Sequence, residues 1–476
     1  MNKKIFIFRA AKILAFSLIF IYLFNCTYRV LSWKEGTAPY TSAATTLYEE
    51  LDEDIVDVLF LGSSHCYSSI NNAQLWDEHG IGAFDMVISG QDIASSYYYM
   101  REVFKTQSPK LVCVELYGAT FENHAVTANI YRNALSFKYS DNFVNAVDAI
   151  APEEEKMDYL LKWPIIHTRY RELVKEDFMP ASPAYLGGNV SETVVTDIGD
   201  LTVYSGSETK PLLKSSEEWI QKMVDFAKEN NAEICFFIAP YETDEDTHKQ
   251  FRYAEQMLKK QNVPVVNFFD KIEEIGLDTH TDFADEGHTN RYGAEKITAY
   301  MGKYLKDNYT LPDRRGDETY ALWEENSTAY EHKIAAEELI LSENMEEYFE
   351  NLSKLENCTV IITSNGDCTV KDTDISGYFR QLGLDRTFAV TGGACIINDG
   401  NIDYVTSEQN YFHYQYVDDG AVEIKGTEEG SLINFNRVEY KVVDNGFNVV
   451  VYDNILHKIV DCVGFNASKN FAANRI

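Results

Sequence analysis

The chain has 476 residues, 45% of them hydrophobic, and a formal net charge of -33. That length allows two or three globular units, and so negative a surface repels phosphate backbones, which argues against nucleic acid as a partner. Among the eight cysteines there is no CxxC pair and no Cys/His spacing of a zinc site; Cys113 in LVCVEL and Cys235 in EICFFIA read as buried hydrophobes, not as a disulfide framework.

In chain order, Lys3, Lys4, Arg9 and Lys12 precede the apolar run Ile13–Phe24, and only Arg29 and Lys34 follow it closely. This asymmetry predicts a single-pass anchor with the N-terminus inside and the body outside the membrane. Tyr22, Tyr28 and Trp33 suit the far interface, and the lack of a nearby A-x-A site favours an uncleaved anchor over a signal peptide. Residues 1–33 are thus expected as a basic stub and anchor, and the polar, acidic residues 34–54 as a tether. Val56–Leu61 reads as a buried strand that turns sharply at Gly62-Ser63-Ser64. Ala83–Ile88, Leu111–Leu116, Glu233–Ala239 and Val263–Phe269 are four more such runs. Helical patterns lie between and after them at Ile93–Lys105, Glu217–Lys228, Asp246–Lys260 and Tyr292–Leu305. This alternation predicts an α/β fold with a doubly wound parallel sheet, whose ligands bind at the carboxyl ends of the strands. An insertion at 120–215 is too long for a simple crossover and is expected to cap the site. The α/β domain should cover 55–311.

Beyond Leu311–Gly316 the texture changes. A helical stretch at Glu331–Leu355 leads into short strand-like runs at Thr359–Thr363, Phe388–Thr391, Ala394–Asn398, Val438–Val443 and Phe447–Tyr452, separated by turns such as Asn365-Gly366 and Asn445-Gly446. Residues 317–476 are expected as a mixed α+β domain.

Three features of the first domain belong at one sheet edge: Gly62-Ser63-Ser64-His65, Ser89-Gly90-Gln91 and Asp285-Glu286-Gly287-His288. A serine needs a base to become a nucleophile near neutral pH, and a histidine needs a carboxylate to hold its tautomer. Ser64, His288 and Asp285 supply these three roles, with the backbone N–H groups of Ser64 and Gly90 as oxyanion donors. Ser63 is a rival nucleophile and Cys66 another. Cys66 also occupies the place of the second glycine of a G-x-S-x-G elbow, so that motif is absent. Asp278, His280, Asp282, Asp285 and His288 offer a second reading, a divalent-metal site for phosphoester hydrolysis. The basic, aromatic segment His167–Arg171 is either a glycan contact or a solvated face paired with Glu172 and Glu176.

These motifs, in this order and after these strands, resemble the SGNH (GDSL-like) hydrolase superfamily over about residues 50–310. Gly62-Ser63-Ser64-His65 stands where that family has its Gly-Asp-Ser-Leu block, Gly90 matches the glycine of the second block, and Asp285 and His288 match the D-x-x-H of the last. An anchor before the first block is similar to the lipoteichoic acid D-alanyl transfer proteins and other surface-polymer acyltransferases. The resemblance implies a flavodoxin-like three-layer α/β/α domain and a serine esterase or O-acyltransferase that needs neither cofactor nor metal. Its implied substrate is an acylated cell-surface or exported polysaccharide. The family's third block has an asparagine where this chain reads Glu115-Leu116-Tyr117-Gly118, and Asn123 comes too late, so the third oxyanion donor is unassigned. The alternative is a non-catalytic, surface glycan-binding protein on a degenerate hydrolase fold. The C-terminal region distantly resembles the interleukin-like EMT inducer domain through Thr359–Ser364, Tyr378–Leu384 and Gly446–Asp453, with the pieces circularly shifted, and this implies a glycan- or partner-binding module.

Overall fold

A computed structural model describes residues 3–32, 42–121, 127–178, 193–366, 368, 376–384, 393–418, 420–469 and 471–475. Trp33 and the strand expected at Phe388–Thr391 lie outside the described residues. The chain divides into two compact units, Met1–Asn326 and Ser327–Ile476. This division falls later than the Leu311–Gly316 stretch because the residues just after that stretch pack on the first unit. Arg314 pairs with the buried Asp57 at 2.7 Å, and Trp323 is buried with its Nε1–H donating to the Ala83 carbonyl.

The first unit is built on β1 (Val58–Gly62), β2 (Ala83–Val87), β3 (Leu111–Glu115), β4 (Glu233–Ile238) and β5 (Val265–Asn267), in the order β2-β1-β3-β4-β5. Every pairing in this sheet is parallel. Its strands are apolar throughout because helices cover both faces. On one face Leu59, Leu61, Met86 and Val114 pack against the helices Ile93–Val103 and Lys214–Glu229. On the other, Phe60, Cys113 and Phe237 pack against Asn72–His79 and Arg291–Asn308. The chain leaves β1 toward β2 on one side and returns to β3 on the other, which opens a crevice beyond the carboxyl end of β1. The strand β5 is shorter than its apolar run because the Asn267 side chain accepts the Phe269 N–H and turns the chain into the 3₁₀ turn Phe268–Asp270.

Ahead of the sheet runs a helix, Lys3–Leu31, whose stretch Ile7–Leu31 is long and apolar enough to cross a membrane and is not buried within the protein. By length and composition it fits a membrane anchor or a signal sequence. The second half of the expected tether is not free: Ala43, Ala44 and Leu47 lie at helical spacing and are buried in the first unit's core beside Ile55 and Val56.

The second unit is β-rich. Its larger sheet is antiparallel and contains β8 (Cys358–Asn365), β9 (Ala394–Asn398), β10 (Asn401–Thr406), β15 (Gly446–Asp453), β16 (Lys458–Asn466) and β17 (Ala473–Arg475), in the order β10-β9-β8-β15-β16-β17. A second sheet is the meander β11 (Tyr411–Val417), β12 (Gly420–Thr427), β13 (Gly430–Phe435) and β14 (Val438–Tyr440). The central strands β8 and β15 send Val360, Ile362, Val449 and Val451 toward the helix Met345–Leu352, and Ile361 and Val450 toward Val422, Ile424 and Ile433 of the meander. The helical stretch expected at Glu331–Leu355 is two helices, Ala321–Leu341 and Met345–Leu352, because Asn344 caps the second by accepting the Glu347 N–H.

Candidate active site

The strand β1 ends at Gly62, whose neighbour across the crevice is Glu115 at the end of β3. A Cβ on Gly62 would stand 2.6 Å from the Glu115 Cβ, so glycine is what lets the two strand ends approach. Ser63 then caps a single helical turn, Ser64–Tyr67, its hydroxyl oxygen accepting the His65 N–H at 3.3 Å. Ser64 is therefore the first residue of that turn, where a backbone N–H has no intrahelical acceptor. The same Ser63 hydroxyl donates to Glu115 Oε2 at 3.1 Å, and the Tyr117 N–H donates to Oε1 at 2.6 Å. Ser63 is thus buried and committed to holding the turn, while Ser64 points out of it.

Asp285 and His288 sit on a minimal antiparallel hairpin, β6 (Phe283–Asp285) and β7 (His288–Thr289), with Glu286-Gly287 as its loop. The D-x-x-H spacing is the two-residue loop of that hairpin, which makes aspartate and histidine cross-strand neighbours. His288 Nδ1 lies 2.9 and 3.0 Å from the two Asp285 carboxylate oxygens, and Nε2 lies 2.8 Å from Ser64 Oγ. With Nδ1–H donating to Asp285, Nε2 is left as the acceptor for the Ser64 hydroxyl. The Gly287 N–H also donates to Asp285 Oδ1 at 2.7 Å, orienting the carboxylate from inside the hairpin. The hairpin is fastened to the Ser64 turn. Thr289 Oγ1 donates to the Ser68 carbonyl, and on the helix that follows, Arg291–Asn308, Thr298 Oγ1 donates to the Ser69 carbonyl while accepting the Asn71 N–H.

Gly90 follows β2 by three residues and adopts a left-handed φ of 69° that re-aims its backbone beyond the end of the strand. Cys66, the other rival nucleophile, is packed into the core with Phe60 and Ile70, and burial holds its thiol well above the usual range. The acidic cluster disperses. Asp282 is buried on Lys296 Nζ and the Asp278 N–H, and His280 pairs with Asp197 away from the hairpin pair. In the insertion, His167, Thr168, Tyr170 and Arg171 are exposed, whereas Arg169 is buried and paired with Asp177 and the Leu31 carbonyl. The insertion's described residues go to several places: Ile130, Phe137, Phe143 and Val147 join the first unit's core. Residues 193–198 lie along the His288 segment, Thr196 donating to the Phe283 and Ala284 carbonyls, whereas 163–178 runs beside the N-terminal helix.

Three site neighbours carry signals too weak to read in the sequence. Glu115 is fully buried, and burial outweighs its hydrogen bonds from Tyr117 and Ser63, pushing its carboxyl up to about 7. His65 is stacked on Tyr117 at 3.9 Å and edge-on to Tyr241 at 4.4 Å, and its ring centroid lies 5.3 Å from that of His288. Burial first, then the nearby His288, lower its pKa to about 3, which keeps it neutral. Asn290 is fully buried. Its carbonyl oxygen caps the final helix by accepting the Tyr292 and Gly293 N–H groups, and its amide donates to the Thr281, Phe283 and Val194 carbonyls.

No family model matches the chain, and no curated protein matches it either. Among solved structures, a candidate acylhydrolase from Bacteroides fragilis aligns with 56% of this chain and 94% of its own, at 13% identity and a TM-score of 0.29. Similarity that low bears on neither the activity nor the site residues of this chain.

Proposed function

We propose that this chain is a serine ester hydrolase or O-acyltransferase held at the membrane by its N-terminal helix, with its body outside and an acylated surface or exported polysaccharide as substrate. The observation that carries the chemistry is the contact of Ser64 Oγ with His288 Nε2 at 2.8 Å, in line with Asp285 on Nδ1. The resemblance of Gly62-Ser63-Ser64-His65, Gly90 and the Asp285/His288 pair to the SGNH blocks, behind an apolar N-terminal helix, supports the substrate class.

In this reading His288 takes the Ser64 proton as Oγ attacks the ester carbonyl carbon. The tetrahedral oxyanion is held by the N–H groups of Ser64 and Gly90. Asp285 stabilises the imidazolium without itself becoming protonated. Collapse breaks the carbon–alkoxide bond, and His288 returns its proton to the departing alkoxide, leaving an acyl group on Ser64. Water or a sugar hydroxyl, deprotonated by His288 in turn, then releases the acyl group. Esters fit better than amides because an alkoxide departs more easily than an amine.

The test is covalent. A fluorophosphonate should label Ser64 in the wild type, and Ser64→Ala and His288→Ala should each lose roughly three or more orders of magnitude in turnover of a small acetyl ester. A chelator should leave that rate unchanged. Activity that survives Ser64→Ala but not chelation would transfer the chemistry to a metal. A folded protein with neither labelling nor turnover would leave a glycan-binding module.

A further inference from the structure

The insertion carries a surface that the chemistry does not use. Its residues 163–178 run alongside the last turns of the N-terminal helix, as Trp163–Ile166, His167–Arg171 and Lys175–Phe178. The Trp163 ring lies 5.0 Å from Phe24, the Tyr139 and Tyr28 side chains are hydrogen-bonded, and Arg169 Nη1 donates to the Leu31 carbonyl at 2.9 Å. Arg169 is itself fixed by Asp177 at 2.8 Å, with both side chains buried, so the attachment is specific.

Helix geometry sets the height of this attachment. A bilayer's hydrocarbon core takes roughly 20 helical residues. A span opening at Ile7 then closes near Cys26, and one opening at Ile13 closes near Ser32. In the first register Phe24 lies about 3 Å inside the outer boundary of the hydrocarbon, with Tyr28 about 3 Å and Leu31 about 8 Å beyond it; in the second Leu31 lies about 2 Å, Tyr28 about 6 Å and Phe24 about 12 Å inside it, so in either register the segment bound to them stands in the outer part of the bilayer. Large apolar side chains stand out from that segment and beside it, Leu161 55% exposed, Tyr170 59%, Val174 48% and Phe178 66%, interspersed with the exposed His167, Thr168, Arg171 and Glu172. Its charge also departs from the rest of the chain. Residues 156–178 hold five Lys or Arg against four Asp or Glu, within a protein of net charge -33. Aromatic and aliphatic tips with nearly balanced charge are the composition of an interfacial layer.

We infer that the 156–178 part of the insertion is a membrane-docking platform, in which Leu161, Tyr170, Val174 and Phe178 enter the headgroup–acyl boundary of the leaflet through which the N-terminal helix emerges. The helix alone would leave the domain free to swing; the platform sets its tilt and its height above the lipid. The inference rests on the anchoring part of the proposed function, and the experiment separates the two. In the full chain, with the exposed Cys26 and half-buried Cys462 made serine, an environment-sensitive fluorophore is placed by single substitutions Ile19→Cys, Leu161→Cys, Tyr170→Cys, Phe178→Cys or Val203→Cys. Each protein is reconstituted into phosphatidylcholine nanodiscs carrying lipids with a nitroxide high on the acyl chain. Positions 161, 170 and 178 should be quenched and blue-shifted, position 19 quenched, and position 203 indifferent. Quenching at 19 with none at 161, 170 and 178 overturns the platform while leaving the anchor, and assigns the patch to a protein partner or a second copy. No quenching at 19 or at the platform positions overturns both. All five positions tested are exposed in the protein, so thermal melts of the labelled chains should match the parent.

Discussion

Ser64 and His288 are 224 residues apart in sequence and in hydrogen-bond contact in space. They were legible, with Asp285, because each sits in a local motif that a short sequence window captures: a strand-ending turn and a two-residue hairpin. Glu115 and His65 were not, because what matters about them is burial, which no window shows; a carboxylate ending the run LVCVE reads as an ordinary strand terminus. The same residue scale gives two predictions. The Asp285 side chain is 61% exposed, so water can accept from His288 Nδ1 when the carboxylate is lost. Asp285→Asn should therefore cost less in kcat/KM than His288→Ala, measured on one ester with both variants folded. The second concerns pH. Glu115 is raised from 4.5 to about 7 in the folded protein, so the fold holds its proton where the unfolded chain releases it. The stability this contributes is present in full below pH 4.5 and is lost as pH rises through 7. His65, lowered to about 3, acts in the opposite sense and loses stability as pH falls from 6.5 toward 3, so the wild-type curve mixes the two. The difference between Glu115→Gln and wild type isolates Glu115: the variant should gain, relative to wild type, on the order of 3 kcal/mol between pH 4 and pH 8. Denaturant titrations at several pH values measure it, and a difference that is flat with pH would show that Glu115 keeps an ordinary carboxyl.

At the scale of elements, the strands of the parallel sheet were legible because burial on both faces demands unbroken apolar runs, as in VLFLG and EICFFI. The meander of the second unit was not. Its strands have one covered and one open face, and β11, reading YFHYQYV, alternates large aromatic with polar residues and resembles a loop more than a core strand. The exposed β10, reading NIDYVT, hides for the same reason. The final helix of the first unit was visible from its periodicity, but not the device that aims it. Asn290 satisfies two N–H groups of the helix and the carbonyls of Phe283 in the hairpin, Thr281 just before it and Val194 of the insertion at once. It couples the start of the helix to the hairpin that carries Asp285 and His288. Asn290→Ala removes a cap worth about 1 kcal/mol and the hydrogen bonds to the Thr281 and Val194 carbonyls, a further loss of about 0.5–1.5 kcal/mol, while the Phe283 carbonyl keeps the Thr196 N–H. The chemical-denaturation midpoint of the first unit should fall accordingly. Asn290→Ser keeps an oxygen for the cap but has no amide to reach the carbonyls, and should fall between the two. Equal losses for alanine and serine would mean the cap contributes nothing.

For the whole molecule, the change of texture near residue 311 marks a change of layer, but the two compact units part at 326/327, inside the helix Ala321–Leu341. The reason is carried by a few side chains. Tyr320 and Trp323 are buried with Trp76 in the first unit's core, and their rings lie 5.3 Å apart. Farther along the same helix, His332 is buried on Asp453 at 2.8 Å, and Ala336 and Leu339 belong to the second unit's core. A helix whose first turns serve one core and whose later turns serve another has no composition break at the boundary, so a linker search stops at the nearest charged, Pro/Gly-containing stretch instead. From this follows a prediction about autonomy. A fragment of residues 327–476 keeps Ala336, Leu339, His332 and every described strand of both its sheets, and should melt cooperatively and give dispersed amide spectra. A fragment of residues 317–476 adds Tyr320 and Trp323 with nothing to cover them, two large aromatic side chains whose exposure favours association. It should melt at a similar temperature but self-associate at concentrations where the shorter fragment stays monomeric, as read by sedimentation. The complementary chain, residues 1–326, retains Ser64, His288, Asp285 and Glu115 with all of their described partners, and should react with a fluorophosphonate at Ser64 as fast as the full chain does. An unfolded 327–476 fragment would show that the two cores are one cooperative system; a folded fragment beside an unreactive 1–326 would place a requirement of the active site in the second unit.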